Sequence, residues 1–357
     1  MNYKRPGFRF IYGGVALIFL LAILVWAINF YPEALQKEPV ICPSTCRTLV
    51  SGQKIKILSY NIQFMAGKKY CFFFEGGPDS EPSFEDVTLT TGKVSEVIRD
   101  EDPDIILLQE VDDGAKRTQY KDQLAVLLSL LPEDYACHTS AFYWKSAYVP
   151  HPDIMGAVGM KLSIISKYRI DNAVRYQLPL LPANIVYQQF NVKRAILESR
   201  LPVQNGKELF VFNTHLHAFA HGTDIIEKQI SQIEDILGRL DKNGNPWILG
   251  GDFNLLPPGQ YQYLPQELKP YCNPATELTP LYERYKAVIP DFRDISREEH
   301  DRWLTTNPNS PDYNKPLASI DNIFFSKDIK LFDRYVRQYD TGSISDHLPV
   351  VAEIIIP

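Results

Sequence analysis

Five apolar stretches of this 357-residue chain stop or start abruptly at carboxylate, amide or imidazole side chains. Asn61 follows Ile55 to Tyr60, and Gln109 and Glu110 follow Asp104 to Leu108. Asn213, Thr214 and His215 close the run that begins at Glu208, Asp252 and Asn254 follow Pro246 to Gly251, and Asp346 and His347 precede Leu348 to Ile356. Any one of these reads equally well as a turn or cap residue. Polar groups are costly inside a core unless paired, so their clustering at the ends of strands points to the rim of a single cleft. The residue types suit metal-assisted attack of water on a phosphoester. A hard Mg²⁺ takes carboxylate, water and phosphate oxygens, for which Glu110 is the best ligand, with Asn61 beside it. Attack also needs a base and an amide to orient the water, and Asp252 and Asn254 lie on one side of an extended segment. His215 and His347 can donate to the phosphoryl oxygens as charge builds on them, and Asp321 can hold His347 protonated and oriented.

Elements that would place these residues are legible in the pattern. Ile55 to Tyr60 opens as a strand, and Val94, Val97 and Ile98 recur at helical spacing up to Asp102-Pro103. Asp104 to Leu108 is a buried strand, and a helix runs from about Tyr120 to Leu131. Lys161 to Ser166, Ala195 to Leu201 and Glu208 to Thr214 are further strands, the last two joined by a turn at Gln204-Asn205-Gly206-Lys207. Asp224 to Leu240 is the clearest helix, with Asp224 and Glu227 spaced as a capping box and Ile226, Ile230, Ile233, Leu237 and Leu240 on one face. Strands at Pro246 to Gly251, Ser319 to Ser326 and Leu348 to Ile356 complete the set. Hairpins mixed with crossovers predict an α/β fold of two packed sheets flanked by helices, in one domain over 54–357.

In order, SYNIQF, ILLQEVD, LSIISKYRI, FNTHLH, ILGGDFN, SIDNIFFS and ISDHLPV resemble the motifs of the endonuclease/exonuclease/phosphatase superfamily, which includes the neutral sphingomyelinases. The resemblance covers about Lys54 to Pro357. It implies a four-layer α/β sandwich and Mg²⁺-dependent phosphoester hydrolysis, with Mn²⁺ as a substitute. By position it implies Glu110 as metal ligand with Asn61 adjacent and Asp346 by the metal. It makes Asp252 and Asn254 the groups that position and activate water, places His215 and His347 on the scissile phosphate, and has Asp321 support His347. An inositol phosphatase would carry a longer basic motif than Ser319 to Ser326 offers.

Composition bounds the substrate. Net charge is −6, and −9 without Lys4, Arg5 and Arg9, which opposes a nucleic-acid-coating surface without excluding a phosphate ester. Residues 10–31 read as a transmembrane anchor, because Phe10 to Phe30 is uncharged and long enough as a helix to cross a hydrocarbon core of about 30 Å. The basic residues before it put residues 1–9 in the cytoplasm, with 32–53 a juxtamembrane linker and the catalytic domain periplasmic, extracellular or luminal. A cleaved signal peptide is the alternative, but Ala27-Ile28-Asn29 is a poor cleavage site. An anchor, an acidic body and the aromatic run Tyr70 to Phe74 favour a lipid headgroup over nucleic acid as the phosphoester, although a run such as Phe72 to Phe74 is more often core or an edge strand. Of the five cysteines, Cys42 and Cys46 could close a small disulfide loop beyond the membrane or stay reduced.

Three other readings compete. The same site could serve an extracytoplasmic nuclease. His215 and His217, with His221, could bind zinc. The body could also be a non-catalytic anchored interaction module, which intact Glu110, Asp252 and His347 oppose. Lys193-Arg194 could touch a phosphate, but a basic pair entering a strand is more often a solvated face.

Overall fold

A computed structural model of the chain describes residues 7–204, 206–218, 223–309 and 315–357, with side chains from Tyr12 onward. Lys4 and Arg5 of the expected cytoplasmic end, Asn205 of the expected turn, and His221 lie outside the described residues.

The helices are α1 (Gly7–Ile28), α2 (Phe84–Glu101), α3 (Gln123–Leu130), α4 (Ile185–Phe190), α5 (Ile225–Lys242) and α6 (Thr279–Arg284). One seven-stranded sheet runs in the spatial order Leu35–Lys37, Asn172–Gln177, Ala195–Pro202, Glu208–His215, Trp247–Asp252, Asp321–Phe325 and Lys286–Ala287. The other runs Lys330–Val336, Val350–Ile355, Lys54–Asn61, Ile105–Asp112, Gly156–Ser166, Cys137–Val149 and Val40–Ile41. Both sheets are mixed. Each has one parallel pair at its centre, Glu208–His215 with Trp247–Asp252 and Lys54–Asn61 with Ile105–Asp112. Parallel neighbours end at the same edge, so Asn61 and Gln109 come into register in one sheet and His215 and Asp252 in the other.

Three apolar cores separate four layers. Ile57, Leu107, Leu162, Leu197, Val211, Ile323 and Val350 fill the space between the sheets. Ile226, Ile230, Ile233 and Leu237 of α5 and Leu281 of α6 cover the outer face of the first sheet against Phe212, Leu249 and Phe324. Val94, Val97 and Ile98 of α2 with Leu124 and Leu127 of α3 cover the second. The inner space is not wholly apolar. Gln109 Nε2 donates to Asn213 Oδ1 at 2.7 Å, and Asn213 Nδ2 donates to the carbonyls of Leu108 (2.8 Å) and Ser163 (2.9 Å). This side-chain bridge between the sheets fixes their relative register near the edge where the strands end.

Several expectations are corrected. The helix expected at Asp224 starts there, but Asp224 makes no capping bond; its carboxylate pairs with Lys228 at 2.8 Å instead. Cys137–Val149, a strand of 13 residues, escaped the sequence reading because its inward positions include Thr139 and Ala141 rather than a run of large apolar residues. The disulfide joins Cys42 to Cys137, not to Cys46. Val40 and Ile41 pair with Thr139 and His138, which carries Cys42 directly opposite Cys137. Lys193 and Arg194 are buried rather than solvated.

The apolar N-terminal segment is a single helix of 22 residues, and Leu17, Ile18, Phe19, Leu20, Ile23, Leu24 and Trp26 on it are all exposed. Among the described residues no helix is long and apolar enough to cross a membrane.

Because the disulfide closes a loop of 95 residues, Cys42→Ser is expected to lower the unfolding free energy by roughly 2–4 kcal/mol. Urea denaturation without reductant measures this, and adding reductant should bring the parent protein down to the variant while leaving the variant unchanged.

Candidate active site

Asp252 is the hub of the cleft. It ends a central strand at 1% exposure, and its Oδ2 takes a hydrogen bond from Asn61 Nδ2 at 3.0 Å. The same oxygen lies 3.3 Å from His215 Nε2 and 3.6 Å from His347 Nε2, while Oδ1 accepts from the Asn254 backbone at 2.9 Å. The strand reaches this position through Gly250-Gly251. A Cβ on Gly251, at φ +148°, would lie 2.0 Å from the Thr214 carbonyl, so no side chain fits between these neighbouring strands.

His347 Nδ1 and Asp321 Oδ2 are 2.8 Å apart, and Thr305 Oγ1 donates to that same Asp321 oxygen at 2.7 Å. Thr305 also accepts from the Ile320 and Asp321 backbone, so it fixes the carboxylate that fixes the histidine. Nothing in the sequence pattern distinguishes Thr305, which comes from the irregular stretch before the Asp321 strand. On the other side His215 Nδ1 faces the Tyr143 hydroxyl at 3.3 Å.

Glu110 sits at a β-bulge, where the register with the Gly156–Ser166 strand shifts between Leu108 and Val111. Its backbone is left-handed, φ 58°, which turns the side chain out of the sheet. Asn61 is held at both ends of its amide, its Oδ1 accepting from the Gln63 backbone at 3.1 Å and its Nδ2 bonded to Asp252. Asp346 receives Ser345 Oγ at 3.2 Å and acts electrostatically on Glu110. Glu75 also meets Asp346, from a turn that the aromatic run builds. Phe72 is buried against Phe64 and Ala66, and its backbone donates to Glu75 at 3.0 Å. Sequence reasoning missed Glu75 because it attended to the aromatics.

The charges in this cleft are unevenly settled. Burial first, then Asp346, push Glu110 up to about 7. Burial, partly offset by His347 and reinforced by Asp321, raises Asp252 to about 6. For His347 burial opposes the charge, but Asp321, Asp252 and Asp346 overcome it and hold the ring protonated well above its ordinary range. His215 is driven the other way, by burial and then by Arg194, and is neutral. Arg194 packs over the Tyr143 ring at 5.2 Å, and its Nε and Nη1 are buried without a hydrogen-bond partner.

Glu110, Asn61 and Asp346 carry oxygen donors of the kind a hard divalent cation takes. Glu110 has no ion pair shorter than its 3.9 Å contact with His215 Nδ1 among the described residues, and its raised pKa marks negative charge that a cation would relieve. Asp252, Asp321 and His347 also offer ligand atoms within 4.8 Å of one another, though they are already tied together by the bonds above. No such cluster among the described residues contains His217. The strand stops at His215, and His217 lies beyond it, its backbone donating to Gln229 of α5.

Two mixed sheets between two helical layers, with a polar cleft at one edge, make a four-layer α/β sandwich. The chain belongs to the endonuclease/exonuclease/phosphatase family, whose model matches residues 58–347. Members of this family hydrolyse phosphoesters and are typically dependent on a divalent metal. Its fold is similar to that of an endonuclease/exonuclease/phosphatase from Beutenbergia cavernae, with TM-score 0.57, 21% identity, and 85% of this chain and 72% of that one covered. The human Nocturnin catalytic domain is similar at TM-score 0.54 and 16% identity over 90% of this chain and 97% of that one. ANGEL2 follows at 0.53 and 14% over 90% and 99%. No curated protein matches the sequence.

Thr305→Val removes one donor from a buried carboxylate. It is expected to cost roughly 1–3 kcal/mol of stability, read by urea denaturation, together with a fall in turnover as His347 loses its fixed orientation.

Proposed function

We propose that the protein is a membrane-anchored, Mg²⁺-dependent phosphodiesterase of the sphingomyelinase type, acting on lipid headgroups. The single observation that carries the chemistry is Asp252 held between Asn61, His215 and His347, with Glu110 and Asp346 beside it. Glu110 and Asn61, with Asp346 beside them, would hold a divalent cation, which when bound would supply positive charge to the phosphoryl group. Asp252 takes the proton of the attacking water, and Asn254 orients that water. Asn254 is suited to this because its amide Nδ2 is already tethered to the Leu216 carbonyl at 3.1 Å. His347, protonated and held by Asp321, donates to the developing charge on phosphorus-bound oxygen. His215, neutral, contacts the same group, and Arg194 adds its unpartnered guanidinium donors.

Support for the lipid reading comes from the N-terminus and the disulfide. The exposed apolar side chains of α1 suit hydrocarbon rather than water. A disulfide in the catalytic body suits an oxidising, extracytoplasmic compartment. With residues 10–31 as anchor and residues 1–9 in the cytoplasm, the cleft would work on a leaflet facing away from the cytoplasm. The net negative chain disfavours nucleic acid, although a nuclease would use the same residues.

Asp252→Asn and His347→Ala are each expected to lower turnover by roughly 10²–10⁴, with the circular dichroism spectrum at the assay temperature still that of a folded protein and the melting temperature of His347→Ala lowered because Asp321 loses its buried partner. Unchanged turnover contradicts the assigned role. Glu110→Gln separates metal from chemistry. The parent should gain thermal stability as Mg²⁺ is added, by mass action on the folded state, and the variant should gain little.

A further inference from the structure

Asn61 and Glu110 come from neighbouring parallel strands, and the chain around each leaves regular geometry. Gln63, Phe64 and Met65 follow Asn61 with φ of 45°, 40° and 54°, so three successive residues other than glycine are left-handed. That backbone is sterically costly for any residue with a Cβ, and a run of three persists only where its neighbours hold it in place. The turn bears on the site directly, because its Gln63 backbone N–H donates to Asn61 Oδ1 at 3.1 Å. On the other strand Glu110 is itself left-handed, and Val111 and Asp112 resume the pairing behind it.

One buried side chain joins the two. Gln123, in the first turn of α3, donates from Nε2 to the Phe64 carbonyl at 2.6 Å and accepts from the Asp112 backbone N–H with Oε1 at 2.9 Å. A second link runs beside it. Arg117 Nε and Nη2 bind the two oxygens of the Asp112 carboxylate at 2.7 and 2.9 Å, and the guanidinium lies over the Phe64 ring, 3.5 Å from its centroid. Thr118 Oγ1 adds a further donor to Asp112 at 3.1 Å. The start of α3 is fixed in turn, since Asp122 accepts from the Leu124 and Ala125 backbone and pairs at 3.1 Å with Lys161, which also reaches Asp113 at 2.9 Å. Phe64, Asp112, Arg117 and Gln123 thus close a ring of contacts behind Asn61 and Glu110. Neither Arg117 nor Gln123 lies within the motifs that supply the site residues.

We propose that Gln123, with Arg117 beside it, is a positioning residue for the divalent cation: it holds the left-handed turn against the end of the neighbouring strand and so sets the separation of Asn61 from Glu110. Without Gln123 the Phe64 carbonyl and the Asp112 N–H are left buried and unpaired, which favours a shift of both segments. The turn then relaxes toward ordinary backbone, its Gln63 N–H withdraws from Asn61, and the two ligand oxygens no longer face one ion. Partners that orient metal ligands commonly govern affinity in this way. The inference rests on the metal-dependent reading of the cleft and states what sets the affinity of that site.

The test reads metal binding by the full chain in detergent, with no substrate present. Mn²⁺ is titrated in, and the free ion is counted by its electron paramagnetic resonance signal. Gln123→Met keeps the length of the side chain and removes both bonds, and it should weaken Mn²⁺ binding roughly tenfold. Leu127→Ala, on the apolar face of the same helix, is the control. It should lower stability in urea and leave Mn²⁺ affinity at the parent's value. Equal weakening in both variants, or none in Gln123→Met, overturns the proposal, because Gln123 then serves the fold alone. Gln123→Glu covers the case in which Gln123→Met does not fold. It keeps the bond from Asp112 and loses the one to Phe64, and its added negative charge would by itself tighten a cation. Weaker Mn²⁺ binding to Gln123→Glu therefore supports the proposal, and equal or tighter binding overturns it. A parent that binds no Mn²⁺ overturns the metal-dependent reading and the proposal together, whereas the other contrary outcomes overturn the proposal and leave that reading intact.

Discussion

A carboxylate taken almost entirely out of water must be met by donors, and the site is arranged around meeting that demand at Asp252. Its donors come from both sheets. Asn61 donates from the sheet built on Lys54–Asn61 and the Asn254 backbone from the sheet that carries Asp252 itself, while the rings of His215 and His347 lie 3.3 and 3.6 Å from the same carboxylate. Burying a charge costs several kcal/mol unless its partners are well placed. The separation of the sheets, their register and the direction of their strand ends are therefore all constrained by one side chain. The Gln109–Asn213 bridge inside the sandwich serves the same register from within.

Around this hub, local backbone devices redirect side chains that a regular sheet would have aimed elsewhere. The bulge turns Glu110 out of the sheet, Asn254 adopts a left-handed conformation at φ 54°, and Gly251 allows two strands to approach closely. Such conformations carry local strain that the surrounding packing must hold. The outcome is a site whose two imidazoles differ in charge. His347 lies among carboxylates and is protonated, while His215 lies near Arg194 and is neutral. One arrangement thereby sets a cationic ring and a neutral one on the same side of Asp252's carboxylate, which in the proposed mechanism would both face the phosphoryl group.

The positions of Asn61, Glu110, His215, Asp252, Asn254, Asp321, Asp346 and His347 were legible because apolar strands announce their own ends. The two-sheet α/β architecture followed from the mixture of hairpins and crossovers. What the pattern hid were residues recruited from irregular chain. Thr305 and Glu75 reach the cleft through single turns with no periodicity, and Arg194 resembled a surface cation until the fold buried it. Cys137 looked unremarkable because its partner depends on an edge pairing, Val40–Ile41 against Cys137–Val149, that only the folded sheet displays. The expected cap at Asp224 failed for a simpler reason, since its carboxylate had a nearby lysine to choose instead.

Under the proposed function, an apolar N-terminal helix ahead of a carboxylate-rich cleft suits a phosphoester presented at a lipid surface. The central claim is tested most directly by incubating the full chain with sphingomyelin vesicles, single-stranded DNA and RNA side by side, with Mg²⁺ or with EDTA, and identifying the phosphorus-containing products. The account predicts phosphocholine released from the vesicles only when Mg²⁺ is present, with the nucleic acids left intact. Metal-dependent cleavage of DNA or RNA with no product from the vesicles would contradict it.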